Sequence, residues 1–229
     1  MASNYISGYN VDIVMCIDAT GSMGPLINLV KQNAINFYSD LKARLDAKSK
    51  RVEEVRVRVI AFRDYLADGD DAMLMSDFFK LPDEAPDFEA LVKSIQPVGG
   101  GDPPEDGLEA LGYAIKSKWT TGGNKRRHII VLWTDDATHE IGYGSSAENY
   151  PSKMAKSFSE LTEWWGCGAQ VEGVMDNKAK RLLIYAPEEP WWTNIADTWD
   201  NTIMFPSEAA SGLDSTTYSE ILDAICGSV

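Results

Sequence analysis

Cysteine is scarce in this chain, and so is concentrated positive charge. The 229 residues include three cysteines, Cys16, Cys167 and Cys226. An odd, widely spread set fits neither a disulfide framework nor the paired spacing of a zinc site, and it leads to the expectation of a reducing, cytoplasmic setting. Histidine occurs twice. No run approaches the roughly 20 apolar residues of a membrane helix. The first ten residues lack the basic-then-apolar order of a secretory leader, so none is expected. Lys and Arg number 21 against 35 Asp and Glu, for a net charge of −14. That excess repels phosphate backbones and anionic bilayers, so neither nucleic acid nor membrane is an expected partner. The one contiguous basic cluster, Lys125-Arg126-Arg127, reads as a solvated loop.

What the chain does have is a set of apolar strands that end in oxygen donors. Val11 to Ile17 is a nearly unbroken apolar run, the pattern of a strand buried on both faces. It stops at Asp18, and Ala19-Thr20-Gly21-Ser22 follows. Two hydroxyls at alternate positions after an acid, with a glycine between them, supply hard oxygen ligands for Mg²⁺ or a similar ion. The same residues also suit an Asx or Ser/Thr turn at a strand-to-helix junction. Pro25 then opens a helix whose apolar positions recur at helical spacing to Leu45. Val55 to Phe62 alternates and then becomes wholly apolar, as a strand that ends buried. Strand, helix, strand begins an α/β fold with a mostly parallel sheet.

Two further stretches repeat the theme. Gly99-Gly100-Gly101-Asp102-Pro103-Pro104-Glu105-Asp106-Gly107 sets three acids among permissive glycines and rigid prolines, directly before a helical stripe of Leu108, Leu111, Ile115 and Trp119. Acids at a helix start favour its dipole, which accounts for Glu105 and Asp106 but not for the triple glycine. His128 to Trp133 is another buried strand, and Thr134-Asp135-Asp136 ends it. His139 and Glu140 extend the polar rim, with His139 read as a hydrogen-bonded loop residue. His128, at the strand's opposite end, is not expected to take part.

The remaining elements read as structural: an edge strand within Met73–Leu81, helices over 87–95, 152–165, 192–199 and 218–225, and strands over 181–186 and 202–205. Trp191, Trp192 and Trp199 suggest a core stripe, with a partner-binding patch as the alternative.

Asp18, Thr20 and Ser22 after a buried strand resemble the first loop of the metal-ion-dependent adhesion site of von Willebrand factor A domains, where the middle hydroxyl is more often serine. Asp102-Pro103-Pro104-Glu105 is similar to the second loop of the A-like domain of integrin β chains, and Thr134-Asp135 to the third element. The resemblance runs over about residues 9–226, in one domain spanning 1–229. It implies a doubly wound, Rossmann-like α/β fold with a six-stranded, mostly parallel sheet, one antiparallel edge strand and helices on both faces.

By the same resemblance the metal residues are Asp18, Thr20, Ser22, Glu105 and Asp135, with Asp102 and Asp136 close by, around Mg²⁺, or alternatively Mn²⁺ or Ca²⁺. Which of Asp102, Glu105 and Asp106 coordinates stays open. The implied role is a non-enzymatic, bacterial-type protein-binding module. Its ion accepts an Asp or Glu of a partner such as an ATPase, a kinase or a stress or defence protein. The alternative is a Mg²⁺-dependent hydrolase or phosphatase built on Asp18. Against it, the second acid of the dehalogenase-type pattern is replaced by Thr20, and no serine-nucleophile elbow or phosphate-binding glycine loop is present.

Overall fold

A computed structural model describes residues 8–101, 104–167 and 172–229. In chain order its elements are β1 (Tyr9–Asp18), α1 (Gly24–Asn33), α2 (Phe37–Ala47), β2 (Val52–Phe62), α3 (Tyr65–Asp68), β3 (Met73–Met75), β4 (Phe79–Leu81), α4 (Ala85–Ser94), α5 (Gly107–Ile115), β5 (Lys125–Trp133), α6 (Phe158–Trp165), β6 (Lys180–Ala186), α7 (Pro190–Thr198), β7 (Thr202–Pro206) and α8 (Tyr218–Ser228).

Among the described residues these strands form one sheet in the order β3-β2-β1-β5-β6-β7, with β4 also paired to β2. β2, β1, β5, β6 and β7 run parallel, while β3 and β4 run antiparallel to β2. Alternation along β1 divides the core. Val11, Ile13, Met15 and Ile17 meet residues of α1, α2, α4 and α8 on one face. Val14 and Cys16 meet residues of α5, α6 and α7 on the other. Helices cover both sides because parallel strands need crossovers, and right-handed crossovers lay them on the two faces. Trp192 and Trp199 are buried in the second layer, as a core stripe requires.

The chain leaves β1 toward β2 in one direction and reaches β5 on β1's other side. The order therefore reverses between β1 and β5, the place where open α/β sheets form a crevice beyond the strands' carboxyl ends.

Three elements differ from the sequence expectation, each for a local reason. The edge strand over Met73–Leu81 is two short strands, because Ser76 turns inward: its amide donates to Val59 O and its hydroxyl accepts from Val59 N (both 3.0 Å). The helix from Pro25 to Leu45 is interrupted by a 3-10 turn at Ala34–Asn36. There the Asn33 side-chain amide takes Leu29 O at 2.7 Å, a carbonyl that the continuing helix would use. The helix placed at 152–165 begins only at Phe158, where the Ser157 hydroxyl caps Glu160 N.

One residue inside the apolar run had no assigned role. Asp12 is 1% exposed, yet both its oxygens are used. Arg56 donates to it twice, at 2.8 and 2.7 Å, and Thr120 N donates at 2.7 Å. This fork ties β1 to β2 and to the segment entering β5. Replacing Asp12 with Ala leaves the Arg56 guanidinium without its carboxylate, a loss of about 3 kcal/mol. Urea unfolding should report that loss as a lower midpoint at unchanged slope.

Candidate metal centre

The carboxyl ends of β1 and β5 bring together donors that lie more than a hundred residues apart. Asp18 closes β1 and is fully buried. One of its oxygens accepts from Thr20 N (2.9 Å) and Thr20 Oγ1 (2.6 Å), and the other from Thr134 Oγ1 (2.7 Å). Ser22 Oγ reaches across to Asp135 Oδ1 at 2.9 Å. The first and third sequence segments thus meet through carboxylate–hydroxyl pairs. Thr134, which the sequence placed beside Asp135 in the third element without a role of its own, holds Asp18 in place.

The second segment enters beside them. Glu105 is fixed by its backbone to the loop after β5: its amide donates to Ala137 O (3.3 Å), and its carbonyl accepts from His139 N and Thr138 Oγ1 (both 2.9 Å). Gly100, at φ +72°, sits between Thr20 and Glu105. A Cβ there would stand 2.7 Å from Thr20 Cγ2 and run into the Glu105 carboxyl. The glycine run therefore serves close approach as well as turning. Among the described residues, Glu105 Oε2 is buried without a hydrogen-bond partner. Asp106 turns away and accepts from Tyr65 N at 2.7 Å. Asp102 lies outside the described residues.

Asp136 is half-buried, and its carboxylate accepts from Ala137 N (2.7 Å) with no hydrogen bond to the other candidates. His139 is a hydrogen-bonded loop residue, with Nε2 2.9 Å from Asp64 Oδ2 and its ring stacked on Tyr143. A further contact was not legible in the sequence. Gly212, at φ +62°, donates its amide to Asp135 Oδ2 (2.8 Å), and Ala210 N donates to Asp135 O (2.7 Å). The loop leading into α8 is thereby tied to the crevice.

Burial dominates the electrostatics. It pushes the Asp18 carboxyl up to about 6 against its three hydrogen bonds, with the Asp135 charge adding to the rise. Glu105 is pushed up to about 9, first by burial and then by the charges of Asp18, Asp64, Asp68 and Asp106.

Among the described residues no three His, Cys, Asp or Glu side chains are arranged to hold a metal ion. Asp18, Glu105 and Asp135 are thus not poised as an all-acid cage, and the assembled donor set is mixed carboxylate and hydroxyl. Hard oxygens and a buried orphan carboxylate oxygen suit a hard divalent cation.

The pilus adhesin SpaC from Lactobacillus rhamnosus GG, in its open conformation, superposes with a TM-score of 0.51 over 95% of this chain and 30% of SpaC, at 15% identity. The fold is of the von Willebrand factor A type. Proximal thread matrix protein 1 from the mussel byssus, in a structure with a zinc-occupied MIDAS motif, overlaps at a TM-score of 0.49 and 14% identity over 96% of this chain and 45% of that one. That overlap is too loose to bear on the site between β1 and β5. In sequence, the alpha-protein kinase vwkA of Dictyostelium discoideum is 25% identical over 141 residues, 62% of this chain and 21% of that protein. The chain thus spans about a fifth of the curated relative it matches. No family model matches. No described helix is long and apolar enough to cross a membrane.

The raised carboxyls fix the sign of a pH effect. Folded Glu105 and Asp18 keep their protons in a range where the unfolded chain, with ordinary values of 4.5 and 3.8, has released them. Ion-free protein therefore loses stability as pH rises from that range toward about 9. In EDTA, the urea midpoint should fall across this window. Glu105→Gln should flatten the fall, and added Mn²⁺ should restore the native midpoint at the alkaline end.

Proposed function

We propose that this A-type domain is a metal-dependent protein-binding module. The observation that carries the reading is the crevice between β1 and β5. There Thr20, Asp18 and Thr134 form one hydrogen-bonded chain and Ser22 with Asp135 a second, beside a buried Glu105 oxygen that no group among the described residues satisfies. Asp18, Thr20, Ser22 and Asp135 would hold Mg²⁺, or alternatively Mn²⁺ or Ca²⁺, with Glu105 approaching from the side. Once bound, the ion supplies a partly neutralised positive centre with an exchangeable position for an outside carboxylate.

The chain's own residues do the rest. The hydroxyls of Thr20 and Ser22 are neutral ligands, so they leave the centre cationic enough to attract an Asp or Glu of a partner. α1 begins just beyond Ser22, and its amino end adds to the attraction for an anion. Gly212 and Ala210 link Asp135 to the segment entering α8. A small movement of Asp135 is thereby coupled to the last helix, a two-state device through which capture of a partner shifts a population.

The partner we infer is a protein presenting Asp or Glu, of the ATPase, kinase or stress- and defence-response kind, in a cytoplasmic, bacterial-type setting. The hydrolase reading has less support. Residue 20, where the dehalogenase-type pattern carries its second acid, is Thr.

Calorimetry with Mn²⁺ and Mg²⁺ separates these readings. The native chain should show one divalent site, Asp18→Ala should abolish it, and Thr20→Ala should weaken it by about tenfold, the loss of one hard ligand. Phosphatase turnover by the native chain that disappears in Asp18→Ala would favour the enzyme instead.

A further inference from the structure

The strand ends opposite the crevice carry the reverse charge. Lys125-Arg126-Arg127, read from sequence as a solvated loop, opens β5 instead. Together with Tyr9, Asn124, Asp176, Lys178 and Ala179 these residues line a pocket of about 300 Å³. Register sets them side by side, with Tyr9 opposite Lys125, Val11 opposite Arg127 and Ile129 opposite Arg181. Alternation puts Tyr9, Lys125, Arg127 and Arg181 on one face of the sheet. The Lys125 ammonium and the Arg127 guanidinium each lie 5.2 Å from the centre of the Tyr9 ring.

These cations are unmatched in a chain that has acid to spare. Arg126 is paired with Asp176 at 2.8 Å, which uses the one acid of the pocket. Among the described residues, Lys125, Arg127, Lys178 and Arg181 have no acidic side chain within ion-pair distance. Arg127 spends one nitrogen on Arg126 O (2.8 Å), and its Nε is buried with no partner. Arg181 donates to Lys180 O and Lys178 O, and the Arg127 charge helps hold its guanidinium below the usual range, after burial. The last turn of α8, whose carbonyls would draw a cation, is served elsewhere, by Lys50 on Cys226 O at 3.1 Å.

We propose that this pocket is a binding site for a small ligand carrying a diphosphate group. Like charges gathered around one ring, one of them with a buried unused donor, are relieved by an anion that brings several charges and many acceptor oxygens at once. The Arg127 guanidinium keeps unused donors to pair with phosphate oxygens, and Lys125 and Lys178 add mobile point charges. A single carboxylate would leave most of that charge unanswered. The net charge of −14 disfavours long polyanions such as nucleic acid, whose flanks would meet the acidic remainder. A short anion seated in the pocket is screened from that remainder within roughly a Debye length, about 8 Å. The site is independent of the metal centre. A ten-residue β1 separates them by about 30 Å.

The test is calorimetry of the full chain with inorganic pyrophosphate, in EDTA so that no divalent ion takes part. Saturable binding at one site is expected, falling steeply with added salt. Arg127→Gln should weaken it by more than about tenfold, the value of a charge-assisted pair. Lys178→Gln, an exposed substitution that leaves the sheet intact, should weaken it about threefold to tenfold. No saturable binding by the native chain, or native affinity in Lys178→Gln and in a folded Arg127→Gln, would overturn the proposal. So would binding of tetraglutamate in preference to pyrophosphate, which would make the pocket a seat for an acidic protein segment.

Discussion

A carboxylate taken out of water at the end of a buried strand is the constraint around which the rest is arranged. Asp18 ends β1 with no exposure at all, and a charge so placed must be neutralised, protonated or surrounded by donors. The fold supplies amide and hydroxyl donors on both sides: Thr20 from the next turn, and Thr134 from just beyond the adjacent strand. Without a cation the cost of burial shows as a carboxyl shifted up to about 6, and Glu105 is shifted further, to about 9. Such an arrangement is expensive for a protein that only needs to cap a helix. It becomes reasonable when a divalent ion completes it.

The topology explains why these groups can meet. Order reverses between β1 and β5, so the loops that follow those strands diverge to opposite faces and leave a cleft between them. Glu105 joins that cleft through a backbone bridge to Thr138. The loop before α8 joins it through Gly212. Three crossovers and one long return therefore converge on a single edge, while the opposite edge collects the strand starts with Lys125, Arg127 and Arg181, which have no acidic partner among the described residues. The two ends of one parallel sheet thus differ in charge sign, within a chain whose overall balance is strongly acidic.

How much of this was legible in the sequence depended on whether the signal was local. The apolar runs ending in Asp18 and in Thr134-Asp135 are contiguous, so the strands, their direction toward a shared edge and the candidate donors could all be read from them. Gly100 could be flagged as unusual, but its reason, the close approach of Thr20 beside Glu105, depends on a residue 80 positions away. Asp12 sat unnoticed in an apolar run because its partners, Arg56 and Thr120, are brought in by pairing. The Asn33 and Ser157 side chains reset helix boundaries by capturing single backbone groups, which periodicity alone does not register. Lys125 to Arg127 looked like a loop because charge at a strand's start obeys no apolar pattern.

The most direct test of the central claim is diffraction at the manganese edge from crystals of the native chain grown in Mn²⁺. The account predicts one anomalous peak within coordination distance of Asp18, Thr20 and Ser22, with Asp135 joined directly or through water. A well-diffracting crystal with no peak there, or with the ion held elsewhere by other residues, would contradict it.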